Sequence, residues 1–508
     1  MEITGKNFIG DKLSGFGKVN YKSIDPLKNI ENDILFVEAT SEELEEAVAL
    51  ADVAFPIYRE LSGAQRSCFL NAIADEILNL GDALIDIYCR ETGLPQGRAM
   101  GERGRTIFQL QLFAKTIETE DWRKNINESA IPERTPVPKP SLSKTHLPLG
   151  PIAVFGASNF PLAYSTAGGD TASALAAGCP VIVKSHPMHS GTGAMVSAAI
   201  IKAAQKTGMP NGVFSNLNSK SYALSHELVK HPQIKAVGFT GSFSGGSALN
   251  ESVLKRRHPI PFFAEMGSIN PIAITAGALE KGTQQMAQKI AGSIVLGAGQ
   301  FCTQPGLLLT VDGEHTDAFI KELNKALKET DQQCMIHPEL KKNYVKQSDK
   351  INGLKETVEV QANKNQLDDN LVHPKLSMIT GNQFITNPQF QEEVFGPFSL
   401  VVKCKNLQEL EQVINHLEGQ LTGSIFAQAD DYALIEPLIH AFKSKVGRLL
   451  FNDVPTGVEV SAAMTHGGPY PAASDSRFTA VGPGSIYRWV RPITFQNWPK
   501  ELLAKLMN

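Results

Sequence analysis

The sequence has no pair of cysteines spaced to bind a metal or to form a redox couple. Its six cysteines are Cys68, Cys89, Cys179, Cys302, Cys334 and Cys404, scattered through 508 residues without a C-x-x-C motif. In a chain of this size that distribution indicates reduced thiols and excludes the disulfide framework of a small secreted protein. We therefore expect free thiols in a reducing compartment and no metal site.

Long apolar runs and blocks of like charge are also missing. No uninterrupted apolar stretch reaches the length that crosses a bilayer, and residues 1–6 carry charge where a signal peptide would need an apolar core. The formal net charge of -4, with 42% hydrophobic and 20% charged residues, is typical of an ordinary globular protein. We expect a cytoplasmic protein with neither a membrane nor a nucleic acid as partner.

What the sequence does contain is a regular alternation of strand and helix signals. Short apolar runs predict strands over residues 151–156, 179–184, 212–216, 234–239 and 260–264, with helix-like segments between them. Strict alternation predicts right-handed crossovers and a parallel, doubly wound sheet, which binds ligands at the carboxyl ends of its strands. A second series from about residue 270 to residue 452 predicts another doubly wound domain.

A proline-rich segment separates the helical N-terminal region from this alternation. Residues 131–140 read IPERTPVPKP, which excludes a helix and a central strand and predicts an edge strand, an arm or a linker. The fold we expect is α/β, with two doubly wound domains and a small β arm. The domains are residues 1–130 with 148–268, and residues 269–470. The arm and tail are residues 131–147 and 471–508, and the tail is a candidate for pairing with another subunit.

One cysteine lies in surroundings that suit chemistry. Residues 297–306 read GAGQFCTQPG and place Cys302 among flexible, hydrogen-bonding residues after a helix-like segment. A structural cysteine more often lies inside an apolar run, because a free thiol behaves as a small hydrophobe. A thiol presented on a loop suits nucleophilic catalysis. On this motif alone, a loop cysteine that merely packs is an equally good interpretation.

Other candidates follow the predicted strands, at the edge where ligands bind. The Asn159 amide suits either a helix cap or an oxyanion contact. Lys184 ends the second predicted strand, where its side chain is either exposed to solvent or in contact with a ligand. Glu265 ends an apolar strand, where a carboxylate serves as a general base or as a paired acid. Arg105 lies near the apolar face of a predicted helix. Either its apolar stem packs on that face while the guanidinium reaches water, or it pairs with an acid, or it contacts a substrate.

Phosphate binding is supported by a glycine-rich turn. No G-x-G-x-x-G motif follows a predicted strand, which argues against the common dinucleotide fingerprint. Residues 239–246, FTGSFSGG, instead form a turn that leads into a helix, where backbone N–H groups and the helix dipole favour phosphate. A tight turn that binds nothing is the alternative.

Taken together, several motifs resemble the aldehyde dehydrogenase superfamily, in that family's order and over nearly the whole chain. They are NFP at 159–161, VK at 183–184, FTGS at 239–242, EMG at 265–267, GQFC at 299–302 and EVFGP at 393–397. KSHP at 184–187 and HGGPYPA at 466–472 resemble the branch that holds 2,5-dioxopentanoate (α-ketoglutarate semialdehyde) dehydrogenases and NADP-linked fatty aldehyde dehydrogenases.

The resemblance implies a role for each motif. Cys302 would be the nucleophile, Asn159 and the Cys302 N–H would hold the oxyanion, and Glu265 would activate water. The implied cofactor contacts are Gly241, Ser242 and Gly246 at the pyrophosphate, Lys184 at the adenosine ribose or its 2′-phosphate, and Glu393 and Phe395 at the nicotinamide ribose and ring. Candidate substrate contacts are Phe160, Arg105 and His466. His466 is alternatively a second base or a simple loop histidine, and the sequence favours the loop histidine.

The same resemblance implies domain roles. Residues 1–130 with 148–268 would bind the dinucleotide, and residues 269–470 would carry the catalytic residues. The arm and tail would join subunits into a homodimer or homotetramer. The implied partner is a small-molecule aldehyde.

Three departures from the family pattern bear on cofactor and substrate. Ser158 stands where a tryptophan often precedes the asparagine, and Ser268 where a second glycine often follows the glutamate. Pro187 stands where an acid often binds the ribose 2′-OH of NAD. Without that acid a 2′-phosphate meets no repulsion, so the sequence favours NADP over NAD.

The resemblance thus implies NAD(P)-dependent oxidation of an aldehyde, with 2,5-dioxopentanoate, which gives 2-oxoglutarate, as the preferred substrate. A medium- or long-chain aldehyde and a catalytically silent dinucleotide-binding protein are the alternatives. A CoA-acylating enzyme is disfavoured, because it needs no water-activating base such as Glu265.

Overall fold

The computed structural model of the protein describes residues 2–354, 357–361 and 370–506. Its strands are β1 Asn7–Ile9, β2 Lys12–Ser14, β3 Asn20–Tyr21, β4 Ile24–Asp25, β5 Ile30–Glu31, β6 Phe36–Val37, β7 Ile126–Glu128, β8 Leu142–Pro148, β9 Ile152–Phe155, β10 Val181–Lys184, β11 Phe214–Leu217, β12 Ala236–Thr240, β13 Phe262–Glu265, β14 Ile272–Ile274, β15 Leu307–Val311, β16 Gln333–Cys334, β17 Val358–Gln361, β18 Leu371–Val372, β19 Lys375–Thr380, β20 Phe398–Cys404, β21 Gln420–Phe426, β22 Val446–Phe451 and β23 Val490–Gln496.

The α-helices alternate with these strands over most of the chain. They are α1 Ser41–Tyr58, α2 Gly63–Asn79, α3 Gly81–Thr92, α4 Gln96–Thr116, α5 Gly169–Ala177, α6 Ser190–Thr207, α7 Tyr222–Lys230, α8 Phe243–Leu254, α9 Ala276–Val295, α10 Glu314–Lys328, α11 Pro338–Asn352, α12 Gly381–Thr386, α13 Leu407–His416, α14 Tyr432–Lys443 and α15 Lys500–Leu506. Among the described residues, none of these helices combines the length and apolar character needed to cross a membrane.

Side-chain caps fix where helices begin. At the start of α1, Thr40 Oγ1 accepts the Glu43 N–H at 3.2 Å and Glu43 Oε2 accepts the Thr40 N–H at 2.9 Å, which confirms the predicted cap. Helix α8 begins four residues before the predicted segment 247–256. Ser242 caps it by accepting the Gly245 N–H at 3.2 Å, and the glycines behind this cap had hidden the helix signal.

The first large sheet has the strand order β13-β12-β9-β10-β11-β1-β2. Its five strands from β13 to β11 are parallel and confirm the predicted set, whereas β1 and β2 add an antiparallel hairpin. The parallel strands are arranged 3-2-1-4-5 in chain order, which puts the topological switch point between β9 and β12. Pairing of β1 with the distant β11 has no local sequence signal, so the hairpin was not predicted.

The second large sheet has the order β17-β19-β20-β15-β14-β21-β22, and only β17 is antiparallel to its neighbour. In a small antiparallel sheet, β23-β8-β7, the strands β7 and β8, which follow α4, pair with β23 of the C-terminal tail. The predicted α/β fold with two doubly wound units and a small β arm is confirmed. The domain boundaries and the part of the arm in joining subunits stay predictions.

Each large sheet is buried on both faces. Val181 and Val183 face one apolar core and Ile182, between them, faces another, because successive side chains of a strand point to opposite sides. Fully burying a side chain of this size contributes about 1.5–3 kcal/mol. This packing explains the near-continuous apolar runs of the strands, and it leaves only their carboxyl ends free to form a site.

Candidate active site

The loop that carries Cys302 is held in an uncommon backbone conformation. Gly297, Ala298 and Gly299 all have positive φ, at 58°, 56° and 65°. Gly299 is required here for a second reason, since a Cβ on it would lie 2.3 Å from the Gly396 carbonyl carbon. The close approach ties the cysteine loop to the segment that carries Glu393.

Two buried side-chain amides hold this loop in place by hydrogen bonds. Asn270, also at positive φ, donates from Nδ2 to the carbonyl oxygens of Cys302 and Gln304, at 2.9 Å each. Gln300 donates from Nε2 to the Gly297 carbonyl at 3.0 Å and accepts the Ile336 N–H at 3.0 Å. The position of the thiol is therefore set by hydrogen bonds from outside the loop.

The structure brings Cys302, Glu265 and His466 together. His466 Nε2 lies 3.6 Å from Cys302 Sγ and 2.9 Å from Glu265 Oε1. His466 and Glu265 are almost fully buried, at 1% and 3% side-chain exposure. Although the carboxylate is close to the imidazole, neither of its oxygens makes a well-aligned hydrogen bond within the described residues. The acid is thus left with free acceptor capacity beside the thiol.

Burial raises the pKa of the Cys302 thiol well above its ordinary value. The nearby charges of Glu265 and Glu393 raise that pKa further, while Arg105 lowers it. The thiol is therefore protonated in the resting protein at neutral pH and needs a base to become a nucleophile. Glu265 and His466 are the groups placed to take that proton.

Asn159 lies on the opposite side of the thiol loop. It is 9% exposed and donates one Nδ2 proton to the Gln300 carbonyl at 2.9 Å. An amide nitrogen has two protons, so one stays available for a substrate oxygen. The Cys302 backbone N–H donates to no other group within the described residues. Both donors belong to, or hydrogen-bond with, the loop that carries the sulfur, so each is a candidate oxyanion donor.

A cavity of about 780 Å³ opens beside Cys302 at the carboxyl ends of β9 and β12, the switch point of the first sheet. Its wall includes Ser158, Asn159, Gly241, Ser242, Glu265, Gly267, Glu393 and Phe395. Gly246 does not line it, because a Cβ there would lie 2.8 Å from Met266 Sδ inside the helix packing. The predicted contact between Gly246 and pyrophosphate stays a prediction, and the structure gives this glycine a packing position.

Two ionisable groups near this cavity are perturbed by burial. Burial raises the pKa of the Glu393 carboxyl to about 7, and an N–H from Ser268 at 3.4 Å only partly offsets it. Lys184 ends β10 outside the cavity wall, and burial lowers the pKa of its ammonium to about 8. The sequence reads Glu393 alone as an exposed turn acid, but the structure half-buries its side chain against Gly267.

A second cavity of about 290 Å³ reaches Cys302 from the other side. Its wall includes Arg98, Glu102 and Arg105 from α4, Phe160, Tyr164, Phe301 and Val458. The Arg98 guanidinium lies between two rings, 4.2 Å from the Phe160 centroid and 4.5 Å from the Phe301 centroid. This cavity is narrower than the first and carries positive charge.

Of the two arginines in this wall, Arg98 is paired with an acid, since its Nε lies 3.6 Å from Glu102 Oε2. Glu102 is the acid of its wall, and it already accepts the N–H groups of Leu162 and Ala163, at 2.8 and 3.0 Å, and the Tyr88 hydroxyl at 2.6 Å. Arg105 donates only to neutral oxygens, the Val458 carbonyl and the Tyr164 hydroxyl, the latter at 3.2 Å. Its buried Nε has no partner within the described residues. The expectation that Arg105 pairs with an acid is therefore wrong.

Several of these side chains could not be found from the sequence. His466 was favoured as a simple loop histidine, yet it is buried between the thiol and the carboxylate. Arg98, Tyr164 and Asn270 were missed. Arg98 is only a cation on an apolar helix, and Asn270 is only an asparagine before a proline. Neither pattern predicts a function, because the contacts that matter are made with residues distant in the chain.

Comparison with known proteins was consistent with this arrangement. A profile described as "Aldehyde dehydrogenase family" matches residues 8–470. The chain is 44% identical to "Alpha-ketoglutaric semialdehyde dehydrogenase 2" of Azospirillum brasilense, covering 99% of this chain and 96% of that protein. It is 40% identical to "Alpha-ketoglutaric semialdehyde dehydrogenase" of Acinetobacter baylyi, covering 100% of this chain and 96% of that protein.

Solved structures share the fold at lower identity. A methylmalonate-semialdehyde dehydrogenase from Oceanimonas doudoroffii is 19% identical, with a TM-score of 0.82 over 98% of this chain and 99% of that one. A 1-pyrroline-5-carboxylate dehydrogenase from Thermus with bound NAD is 21% identical, with a TM-score of 0.81 over 97% of this chain and 92% of that one. The similarity extends over both large sheets.

Proposed function

The chain belongs to the aldehyde dehydrogenase family, and from that premise we propose that it oxidises 2,5-dioxopentanoate to 2-oxoglutarate with NAD(P)+. The observation that carries the chemistry is the junction of two cavities at Cys302, with Glu265 within 4.8 Å of the thiol and Asn159 hydrogen-bonded to the Gln300 carbonyl of the same loop. The names of the two full-length relatives support the choice of aldehyde.

The first step assigned to these residues is attack on the aldehyde. Glu265, directly or through His466, takes the proton of Cys302, and the sulfur bonds to the aldehyde carbon. The negative charge that develops on oxygen is stabilised by the Asn159 amide and the Cys302 N–H. Removing one such donor typically costs about 3–4 kcal/mol of transition-state stabilisation.

The second step releases the acid. A dinucleotide held in the larger cavity would supply the acceptor for a hydride from the thiohemiacetal carbon, and loss of that hydride would leave a thioester on Cys302. Glu265 then removes a proton from water as the water attacks the thioester, and the sulfur departs to give the carboxylic acid. The balance is one aldehyde, one water and one oxidised cofactor converted to one acid, one reduced cofactor and one proton.

The cofactor is assigned to the larger cavity. The wall carries the turn from Gly241 to Ser244 at the N-terminus of α8, where backbone N–H groups and the helix dipole suit a pyrophosphate. Glu393 would accept a ribose hydroxyl, and Phe395 would lie by the ring. NADP is favoured over NAD because Pro187 leaves no acid at that position.

The substrate is assigned to the smaller cavity. An aldehyde that ends in an α-keto acid needs a cation for its distal carboxylate, and Arg105 has only neutral partners there. Arg98 lies between Phe160 and Phe301, and Glu102 at 3.6 Å offsets its charge. The Arg105 guanidinium, which has only neutral partners within the described residues, argues against a long apolar chain as the preferred substrate.

The test compares 2,5-dioxopentanoate, succinic semialdehyde and decanal with NADP and with NAD. We expect the highest kcat/KM for 2,5-dioxopentanoate, because its distal carboxylate matches the positive charge of the smaller cavity and both full-length relatives are named for this aldehyde. A higher kcat/KM for decanal would contradict the substrate assignment.

Cys302→Ala is expected to abolish aldehyde-dependent formation of reduced cofactor, and retained activity would contradict the mechanism. No turnover with any aldehyde would instead favour a silent dinucleotide-binding protein.

A further inference from the structure

The group of Cys302, His466 and Glu265 has the composition of a metal site. Cys302 Sγ, His466 Nε2 and a Glu265 carboxylate oxygen all lie within 4.8 Å of one another. Thiolate, imidazole and carboxylate are the three ligand types that Zn²⁺ takes from proteins. Among the residues that the structure describes, no other three such side chains come this close.

The distances are near those of a coordinated ion. With Zn–S about 2.3 Å and Zn–N about 2.0–2.1 Å, a tetrahedral angle places sulfur and nitrogen about 3.6 Å apart. The observed separation between Cys302 Sγ and His466 Nε2 is 3.6 Å. His466 Nε2 and Glu265 Oε1 are 2.9 Å apart, so the carboxylate would move outward by about half an ångström to reach a tetrahedral spacing.

Burial and charge favour a cation at this point. Both oxygens of Glu265 are buried without a hydrogen-bond partner within the described residues. A dication placed between this carboxylate and a Cys302 thiolate would neutralise two buried negative charges and satisfy the free oxygen lone pairs. Cys302 lines both cavities, so an ion has a route to the site and a water can fill a fourth position.

We propose that Zn²⁺ binds reversibly to Cys302, His466 and Glu265 and inhibits the enzyme. Binding forms a Zn–S bond and releases the thiol proton to solvent, while His466 Nε2 and a Glu265 oxygen donate lone pairs to the ion without any change of oxidation state. The sulfur and the carboxylate are then both occupied. Neither attack on an aldehyde nor activation of water can proceed until the ion leaves.

Binding is tested by titrating Zn²⁺ into the full chain by calorimetry, in two buffers of different ionisation enthalpy and without aldehyde or cofactor. We expect one ion per chain and about one proton released per ion, as a coordinating thiol requires. Cys302→Ser, His466→Gln and Glu265→Gln should each weaken binding by at least about tenfold, since each removes a ligand.

A matched control distinguishes this site from surface histidines. His231 Nε2 lies 2.9 Å from Glu45 Oε2, the same spacing as between His466 and Glu265, but without a thiol. His231→Gln should leave Zn²⁺ affinity unchanged within about twofold. Equal loss of affinity in His231→Gln and His466→Gln would overturn the proposal, as would full affinity in Cys302→Ser.

Two further measurements report on the thiol itself. Co²⁺ in place of Zn²⁺ should give a thiolate charge-transfer band that Cys302→Ser loses and Cys334→Ser keeps. Zn²⁺ should also slow alkylation of Cys302 by iodoacetamide, measured by peptide mass, at concentrations that inhibit aldehyde oxidation. Alkylation of Cys302 at an unchanged rate under saturating Zn²⁺ would overturn the assignment of sulfur as a ligand.

Discussion

The two cavities that meet at Cys302 are built in different ways. The larger one is formed mainly by strand ends, turns and backbone groups around the switch point of the first sheet. The smaller one is formed by side chains from α4, among them Arg98 and Arg105, and from three loops that carry Phe160, Phe301 and Val458. Backbone walls follow from topology, whereas side-chain walls depend on which residues stand at a few positions. The shape of the first cavity therefore follows from the fold, whereas that of the second depends on this chain's own side chains.

The largest effect is expected at the junction of the two cavities, from Glu265→Gln. A neutral amide cannot remove a proton from water, so steady-state oxidation should fall by about 10²–10⁴-fold. Stopped-flow absorbance should still show a burst of about one reduced cofactor per active site, because the thioester forms and then accumulates. Removing this negative charge should also lower the Cys302 thiol pKa, so the burst rate should reach its plateau at lower pH than in the parent protein. A complete loss of the burst would show that Glu265 is required for the first step and would contradict its replacement there by His466.

The smaller cavity is tested by Arg105→Met. Loss of a charge-assisted contact of about 1.5–3 kcal/mol should lower kcat/KM for 2,5-dioxopentanoate by about 10–100-fold. For pentanal, which has no carboxylate, kcat/KM should change by less than about threefold. Arg103→Met is the matched control, because Arg103 lies on the same helix, donates to the Gly81 carbonyl at 3.0 Å and does not line the cavity. An equal fall for both aldehydes would show that Arg105 acts on structure and not on specificity.

The larger cavity is tested through cofactor choice by Pro187→Glu. A carboxylate near Lys184 would repel a 2′-phosphate and accept a ribose hydroxyl, so kcat/KM should fall by about tenfold or more with NADP. The value with NAD in the same variant serves as the internal control and should stay level or rise. A parallel fall with both cofactors would contradict the assignment of this strand end to the adenosine ribose.

The smallest effect is expected from the titration of Glu393. Because burial raises the pKa of this carboxyl to about 7, it is mostly protonated at pH 6 and mostly ionised at pH 8. If the ionised form accepts a ribose hydroxyl, KM for the cofactor should rise as the pH falls from 8 to 6, by at most about tenfold over the whole range. Glu393→Gln should flatten this dependence over the same range. A wild-type profile that is flat between pH 6 and 8 would contradict the role.

The two cavities also differ in how far they could be predicted. The five parallel strands and the positions of Asn159, Lys184 and Glu265 at their ends followed from short apolar runs. The partners of Arg105 did not follow, because α4 and the loop that holds Val458 are far apart in the chain. The position of His466 could not be predicted either, because nothing in a histidine among glycines and prolines indicates that it will contact Glu265.

The sequence by itself determined the alternating α/β order, the ligand-binding edge of the first sheet and the glycine-rich loop that carries Cys302, because hydrophobic periodicity and glycine-rich turns are local properties. Only the tertiary structure decided that His466 lies between Cys302 and Glu265, that Glu102 is fully hydrogen-bonded, and that Arg105 is not paired with an acid. Those facts depend on pairs of residues brought together by packing. Their burial then sets the charge state of the thiol and the polarity of the pocket it faces.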